Sequence, residues 1–323
     1  MNDSSSWSTL GAVLLISYIR QSHNADDLIR AHKAYSKAFQ LENTVSTSTT
    51  NNNSPSNVIV RDPDMHYNRG SVLQYLEDFE EAIIAYRTAV SIDPGLQGNQ
   101  DIQNIYRYLL RINDLISKHA HIKPKKLREL ANSIAVPPST SSTGSSASTT
   151  SIHSPTLLPT ELKLIGDRKP SIVKQLKPGE NKGFYIRLKL LLPVLKADRP
   201  PASAIVLDAD NECCVLSLFH LSEKNLYVLG DKDKNTLLIL DPILKPISVK
   251  VPSMNIDDTK DTNNNSSTTT ENNIAASTNT NIITVNYSCI QVMHSDTFFI
   301  DGKLISSELA AAASGYSIET FDR

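Results

Sequence analysis

Apolar residues recur along this chain in two rhythms, and polar tracts separate them. From Asp101 to His119 the side chains Ile102, Ile105, Tyr106, Leu109, Ile112, Leu115 and Ile116 fall three and four apart. That spacing gives one apolar face to a helix of about five turns. A basic turn from His121 to Arg128 and a short helix to Ala135 are expected after it. Past residue 160 the rhythm changes. The segments Glu161–Ile165, Phe184–Val194, Ala204–Leu221, Leu226–Leu229, Thr236–Lys250 and Ile282–Ile300 are rich in Ile, Val, Leu and Phe. Pro170, Pro178–Gly179, Pro200–Pro201 and Asp208–Asn211 punctuate them. Apolar runs bounded by turn formers predict an all-β unit of about five or six strands. Three tracts built of Ser, Thr and Asn (Thr44–Asn57, Pro137–Pro155 and Asn255–Asn281) interrupt both rhythms. Such tracts cannot bury enough apolar surface to offset their ordering entropy and are expected to be disordered insertions.

The stretch from His66 to Pro94 carries a further regularity. Gly70 is followed at fixed intervals by Ala82, Tyr86, Ala89 and Pro94, the spacing of a tetratricopeptide repeat (TPR), a helical hairpin whose usual work is to hold a peptide. Gly70 and Ala82 are small where two antiparallel helices approach closely, Tyr86 is expected to fill the groove between hairpins, and Pro94 stops the second helix. Asp62–Pro63–Asp64 supplies a turn and a capping carboxylate, so the first helix is expected to start near Asp64. In the block Trp7–Asn43, Trp7, Leu10 and Gly11 are spaced as in a first repeat helix, and Ala31, Tyr35 and Ala38 as in a second. The two halves lie about eight residues too far apart for a regular repeat, so either the turn or the first helix is lengthened. One hairpin cannot bury its own faces, and the helix after Pro94 fits the cap that closes such a stack.

The organisation expected is therefore a divergent TPR hairpin at 1–43, a polar insertion at 44–60, a TPR at 61–95, and a capping helix with basic turn at 98–136. A disordered linker at 137–160 then leads to a β domain at 161–305, with a disordered insertion at 253–281, and to a tail at 306–323 that includes the helical run Ala310–Ala313. The fold class is α + β multidomain: α-helical TPR hairpins with a capping helix, followed by an OB-fold-like β-barrel, the economical closed solution for a sheet of this size. A length of 323 residues gives room for both cores. The net charge of −2 argues against a wholly basic nucleic-acid binder and leaves only local basic patches. Three cysteines, Cys213, Cys214 and Cys289, suit neither a disulfide framework nor a zinc site and point to a reducing compartment. Leu10–Ile19 is apolar, but it follows Asp3 and serines rather than Lys or Arg and is too short to span a bilayer. It reads as a buried repeat helix, and no membrane partner is expected. No P-loop, GxSxG, HExxH or paired CxxC occurs, and His119 and His121 lack ligand partners at useful spacing. Cys213–Cys214 reads as strand core. No enzyme activity, cofactor, metal or small-molecule substrate is expected.

Several stretches together resemble the tetratricopeptide repeat protein 5 (Strap) family. These are NRGSVLQYLEDFEEAI, AVSIDP, the apolar helix and KPKKL, then SAIVLDADNECCVLSLFHL, the Gly230–Asp231 pair and TFFIDGKLI, in the family's order. The resemblance implies a TPR superhelix followed by an OB-fold. It implies an adaptor that binds coactivator proteins in stress-responsive transcription, recognises the amino-terminal peptide of nascent tubulins at the ribosome, and triggers decay of tubulin mRNA. Cytoplasmic and nuclear locations follow. Family members carry more repeats before the point where this chain begins, so a shortened groove is implied.

Two clusters are candidate sites. The segment Lys118–Arg128 holds five Lys/Arg and two His. Such a turn presents point charges to phosphates without reading sequence, or else complements the C-terminal end of the preceding helix. By resemblance Lys123, Lys125 and Lys126, with Arg128 beside them, correspond to a run that contacts ribosomal RNA. Asp64, Asn68 and Arg69 lie on the first helix of the repeat, with Asp64 and Asn68 four apart and on one face. The resemblance makes Asp64 the acidic residue that meets a basic peptide side chain; otherwise it caps the helix and Arg69 packs its stem. A second acidic residue of the family falls near Gln97–Gly98 and is absent here. The alternative for the β domain is single-stranded nucleic-acid binding through Phe184, Tyr185, Arg187, Lys189, Phe219 and Tyr227, which pair aromatic rings with charge. Otherwise these residues build the barrel core and rim.

Overall fold

The computed structural model describes residues 3–22, 24–48, 61–135, 157–194, 196, 201–221, 226, 235–252 and 281–304. The polar tracts 49–57, 137–155 and 255–280, together with Tyr227, Gly230–Asp231 and Ala310–Ala313, lie outside the described residues. Helix α1 (Ser4–Ser17) begins at Asp3, whose carboxylate accepts from the Ser6 N–H, and continues into a π-helical segment, Tyr18–Ser22. Helix α2 (Ala25–Ser48) runs back along it. The extra length of this hairpin therefore sits in its first helix. Helix α2 also extends five residues into the tract expected to begin at Thr44. Gly11 packs against the Tyr35 ring as Gly70 packs against Tyr86; a Cβ on either glycine would lie 2.8 Å from a ring carbon. The two hairpins share one packing device, glycine beneath tyrosine.

Helix α3 (Pro63–Tyr75) starts with Pro63 at its first turn and Asp62 as its cap, accepting from the Asp64 N–H at 3.0 Å. Helix α4 (Phe79–Ile92) completes the repeat, and α5 (Gly98–Ser117) packs on it. Tyr86 lies inside its own hairpin, over Gly70, rather than only between hairpins; its hydroxyl meets Gln74 Oε1 at 2.8 Å and Ser71 Oγ at 3.2 Å. After α5, His119, Ala120 and His121 all take positive φ, and α6 (Pro124–Asn132) begins with Pro124 in its first turn. The expected basic turn is thus mostly helix, because a proline following Lys123 favours a helix start.

Glu161–Ile165 is not a strand. It lies in α7 (Pro159–Ile165), where Pro159 opens the helix and the Glu161 carboxylate accepts from the Leu158 N–H at 3.0 Å. A five-residue apolar run has no periodicity long enough to separate strand from helix.

Among the described residues the sheet has ten strands rather than five or six. The long ones are β3 (Phe184–Val194), β4 (Ala202–Leu207), β5 (Cys213–Leu218), β7 (Ile243–Pro252) and β8 (Ile282–Val292). Shorter ones are β1 (Lys169–Ser171), β2 (Gly179–Glu180), β6 (Leu237–Leu240), β9 (Phe298–Ile300) and β10 (Lys303–Leu304). The order is β10-β9-β6-β3-β4-β5-β8-β7-β2, with β1 beside β3 and with β5 and β8 parallel. The expected closed barrel is not formed, because no ladder joins the end strands β10 and β2 among the described residues. The chain nevertheless passes from β6 on one flank to β7 on the other through Asp241–Pro242. Asp241 (φ 49°) is held at that corner by Arg168 at 2.7 Å and the Gly183 N–H at 2.7 Å.

One core fills the sheet interior from Ile186, Leu188, Ala204, Leu216, Ile239 and Ile290. A second is shared with the helices: Ile205, Val215, Val249 and Cys289 join Phe79, Ile105, Leu109, Leu127 and Leu130 in one apolar cluster. The α3–α4 turn is pressed into this junction. Glu77, at φ 62°, is buried there; its carboxylate accepts from Ser217 Oγ at 2.6 Å, Gln291 Nε2 at 3.1 Å and Cys289 Sγ at 3.2 Å, with Lys196 Nζ at 3.6 Å. Lys245 Nζ donates to the Leu76 carbonyl at 2.8 Å and to Asp78 at 2.7 Å. Burial works against charge on Glu77, but Lys196 and the three donors outweigh it and hold the carboxyl below the usual range.

Candidate functional site

The three predicted α3 residues have different surroundings. Asp64 is exposed and, because Asp62 caps the helix, its carboxylate has no hydrogen bond or ion pair among the described residues. Asn68 is half-buried beside the Tyr35 hydroxyl. Arg69 stacks its guanidinium 4.6 Å from the Phe39 ring centre, lies 3.4 Å from Glu81, and leaves only 11% of its side chain exposed. Arg69 therefore bridges α2 and α4.

Sequence reasoning overlooked the neighbouring stripe. Tyr67, Ser71 and Gln74 continue from Asp64 at intervals of three, four and three, so all four share a face of α3. The Tyr67 hydroxyl donates to Asp101 Oδ2 on α5 at 2.7 Å. Asp101 is itself buried, so its carboxylate lies behind the stripe, a few residues beyond Gln97–Gly98. Polar side chains spaced three and four apart on the first repeat helix were the available signal. The stripe offers hydroxyl, amide and carboxylate groups along one line, a surface suited to an extended polar peptide.

Helix α6 turns Leu127, Leu130 and Ala131 inward, and Lys123, Lys125 and Arg128 are exposed while Lys126 is half-buried. Near the C-terminal end of α5, Lys118 pairs with Asp114, whose other oxygen lies 3.8 Å from His121. Lys123, Lys125 and Lys126 crowd the N-terminal turn of α6, which holds no acidic residue. There their charge adds to the positive end of the helix dipole instead of offsetting it, and lysines beside the backbone N–H groups of a helix start favour an anion.

The nucleic-acid set in the β domain is mostly interior. Tyr185, Arg187, Lys189 and Phe219 are buried, and among the described residues of the set only Phe184 is exposed. Arg187 donates to the Ile134 carbonyl at 3.1 Å and faces Glu161 at 3.6 Å, while Lys189 Nζ donates to the Asn235 carbonyl at 3.2 Å. Alternation in β3 hid this, since both faces of the strand are covered. All three cysteines are buried, and burial pushes the Cys213 thiol up to about 11 and the other two well above their usual value. None of them is a poised nucleophile.

Stacked TPR hairpins joined through a shared core to an OB-type domain define a protein-interaction adaptor. Residues 63–96 match the tetratricopeptide repeat family model, and residues 168–314 match that of the tetratricopeptide repeat protein 5 OB fold domain. The chain is 23% identical over 233 residues to tetratricopeptide repeat protein 5 of Bos taurus, covering 71% of this chain and 47% of the relative. It is 24% identical over 235 residues to the Homo sapiens protein of that name, covering 72% and 47%. The chain is thus similar to tetratricopeptide repeat protein 5 in both its repeat and its OB-type domain, and the match spans about half the length of these relatives.

Proposed function

We propose that this adaptor reads a short basic peptide along α3 while α6 rests on ribosomal RNA phosphates, so that nascent tubulin amino termini are recognised at the ribosome and tubulin mRNA decay follows. The observation that carries the reading is the placement of Lys123, Lys125 and Lys126 around the N-terminal turn of α6. Charges put where they oppose their own helix are explained by an external anion better than by stability. The exposed Asp64 carboxylate at the head of the Tyr67–Ser71–Gln74 stripe supports the peptide half. Because α5 and α6 share one core with both the repeat and the sheet, peptide and phosphate contacts are held in a fixed relation.

The test uses the full chain. Lys123→Glu with Lys125→Glu is expected to abolish co-sedimentation with ribosomes, and wild-type pelleting should fall steeply with salt. A labelled peptide beginning Met-Arg-Glu should bind Asp64→Ala about two- to fivefold more weakly than wild type, as for one exposed ion pair. Unchanged pelleting of the lysine variant refutes the ribosome contact, and equal peptide affinities refute the role of Asp64.

A further inference from the structure

Beside the helix–sheet junction a cleft of about 190 Å³ opens between the N-terminal turn of α4, from Glu77 to Glu81, and strand β7, from Lys245 to Val249. Five consecutive strand residues line it. Side chains alternate between sheet faces, so a cleft that meets every residue in turn runs along the strand's backbone edge. That edge is unpaired among the described residues. β7 pairs with β8 along its whole length on one side, and on the other only with the two residues of β2, at Ile243 and Leu244.

The prolines of β7 fix the direction of its outward backbone groups. Proline lacks an N–H and is tolerated in a strand only where that position faces away from the ladder. Pro246 and Pro252 share a parity in β7. Pro242, of the same parity, already turns its carbonyl outward to accept from the Asn181 N–H at 3.0 Å, at the β2 side. Ser248 and Lys250 therefore point their N–H groups outward, with the Pro246, Ser248 and Lys250 carbonyls between them. β2 starts a strand on this edge and stops after two residues, and the next stretch has the same donors and acceptors with no partner strand among the described residues.

We infer that this edge takes an extended peptide segment by strand addition, continuing the line of β2, and that the segment carries a lysine or arginine at the end nearest α4. Main-chain hydrogen bonds supply the attachment, as in other strand-addition complexes. Charge sets the choice of partner. Asp78 is tied to Lys245, but Glu80 makes no ion pair among the described residues, and Glu81, 3.4 Å from Arg69, keeps 59% of its side chain exposed. Ile84, one turn beyond Glu80, is 53% exposed and extends the same face with an apolar side chain. Lys250, exposed at the far end of the window, repels a basic residue there and so sets the peptide's polarity. Prolines at both ends confine pairing to a short window, which protects the edge from indiscriminate sheet growth.

The probes are an acetylated heptapeptide of alternating valine and lysine, its glutamate counterpart, and a version N-methylated on one edge, each added to the isotope-labelled full chain. Amide hydrogen exchange is read at Ser248 and Lys250. The lysine peptide is expected to slow exchange at both amides, the glutamate peptide to bind about fivefold more weakly, and the N-methylated peptide not to bind. Glu80→Lys, at an exposed position, should invert the order of the two charged peptides. The inference is overturned if the lysine peptide leaves both amides unprotected at millimolar concentration, or if Glu80→Lys changes nothing. It is equally overturned if both amides are protected without peptide. Protection independent of protein concentration would mean that residues 253–281 of this chain cover the edge, and protection that grows with concentration would mean a second copy does.

Discussion

Replacing Glu77 by Gln should destabilise the whole molecule rather than one half of it. The substitution keeps the left-handed backbone (φ 62°) and an acceptor for Ser217, but it removes the charge opposite Lys196, whose side chain is only 10% exposed. Losing one member of a buried pair takes the counter-charge from the other, here a lysine that keeps its contact with the Tyr108 ring, at a cost of about 3 kcal/mol. Lys196→Met should cost less, about 2 kcal/mol, because Ser217, Gln291 and Cys289 still donate to the carboxylate. The double variant should be more stable than the sum predicts by at least about 1 kcal/mol, the coupling of the pair. Glu77→Gly should be about 1 kcal/mol less damaging than Glu77→Ala, since glycine adopts this φ without strain. The assay is equilibrium unfolding in urea, followed by fluorescence of the single tryptophan, Trp7 on α1, and by far-ultraviolet circular dichroism. The two signals should shift together. Losses that add within about 0.5 kcal/mol, or a shift in only one signal, refute the assignment of Glu77 as the electrostatic centre of the junction.

Gly70→Ala and Gly11→Ala should each lower the melting temperature, although Gly→Ala inside a helix ordinarily stabilises by about 1 kcal/mol. The new Cβ would lie 2.8 Å from a tyrosine ring carbon, and overpacking of this kind costs about 1–3 kcal/mol; an unchanged or raised melting temperature refutes the close approach. Acid should destabilise the chain before ordinary carboxylates titrate. Burial lowers the His220 imidazole from 6.5 to about 4, so its contribution, about 3 kcal/mol, is fully present above pH 6.5 and lost as pH falls toward 4. Glu77, held below its usual value, contributes at a lower pH with the same sign: present above the unfolded carboxylate pKa, lost as pH falls through the folded one. His220→Leu should flatten the upper part of this acid limb in urea midpoints measured across pH, and an unaltered limb refutes the assignment.

What could be read from the sequence was what is local. Gly70, Ala82, Tyr86, Ala89 and Pro94 describe a hairpin because each acts on a helix within one repeat, and the face of α5 was visible because its apolar residues are three and four apart. The five long strands lay in apolar runs between turn formers. Glu161–Ile165 misled because so short a run has no measurable period; Pro159, just before it, was the signal for a helix. The buried charges were out of reach for another reason. Glu77 sits in an acidic turn, Leu76–Asp78, that reads as solvent-facing, yet its partners Ser217, Cys289 and Gln291 lie 140, 212 and 214 residues further along. Arg187 and Lys189, readable either as nucleic-acid contacts or as barrel core and rim, are buried because both faces of β3 are covered.

The same long-range contacts change what kind of object the basic cluster is. Its lysines sit on a helix whose apolar face shares a cluster with Ile205 and Leu207 of β4, and whose far end is held by Arg187 of β3 through the Ile134 carbonyl. Helix α6 is thus positioned by the β domain as much as by the repeat it follows. Helix α5 joins the two, with Ile105 and Leu109 in the cluster that contains both Ala82 of the repeat and Val249 of the sheet. Rotating the sheet against the hairpins would have to move α6 and break the Glu77 contacts at once. A cap that only closed a repeat stack would need neither. The OB-type domain therefore acts on the helical part as a scaffold, fixing the direction in which Lys123, Lys125 and Arg128 face relative to the stripe that begins at Asp64.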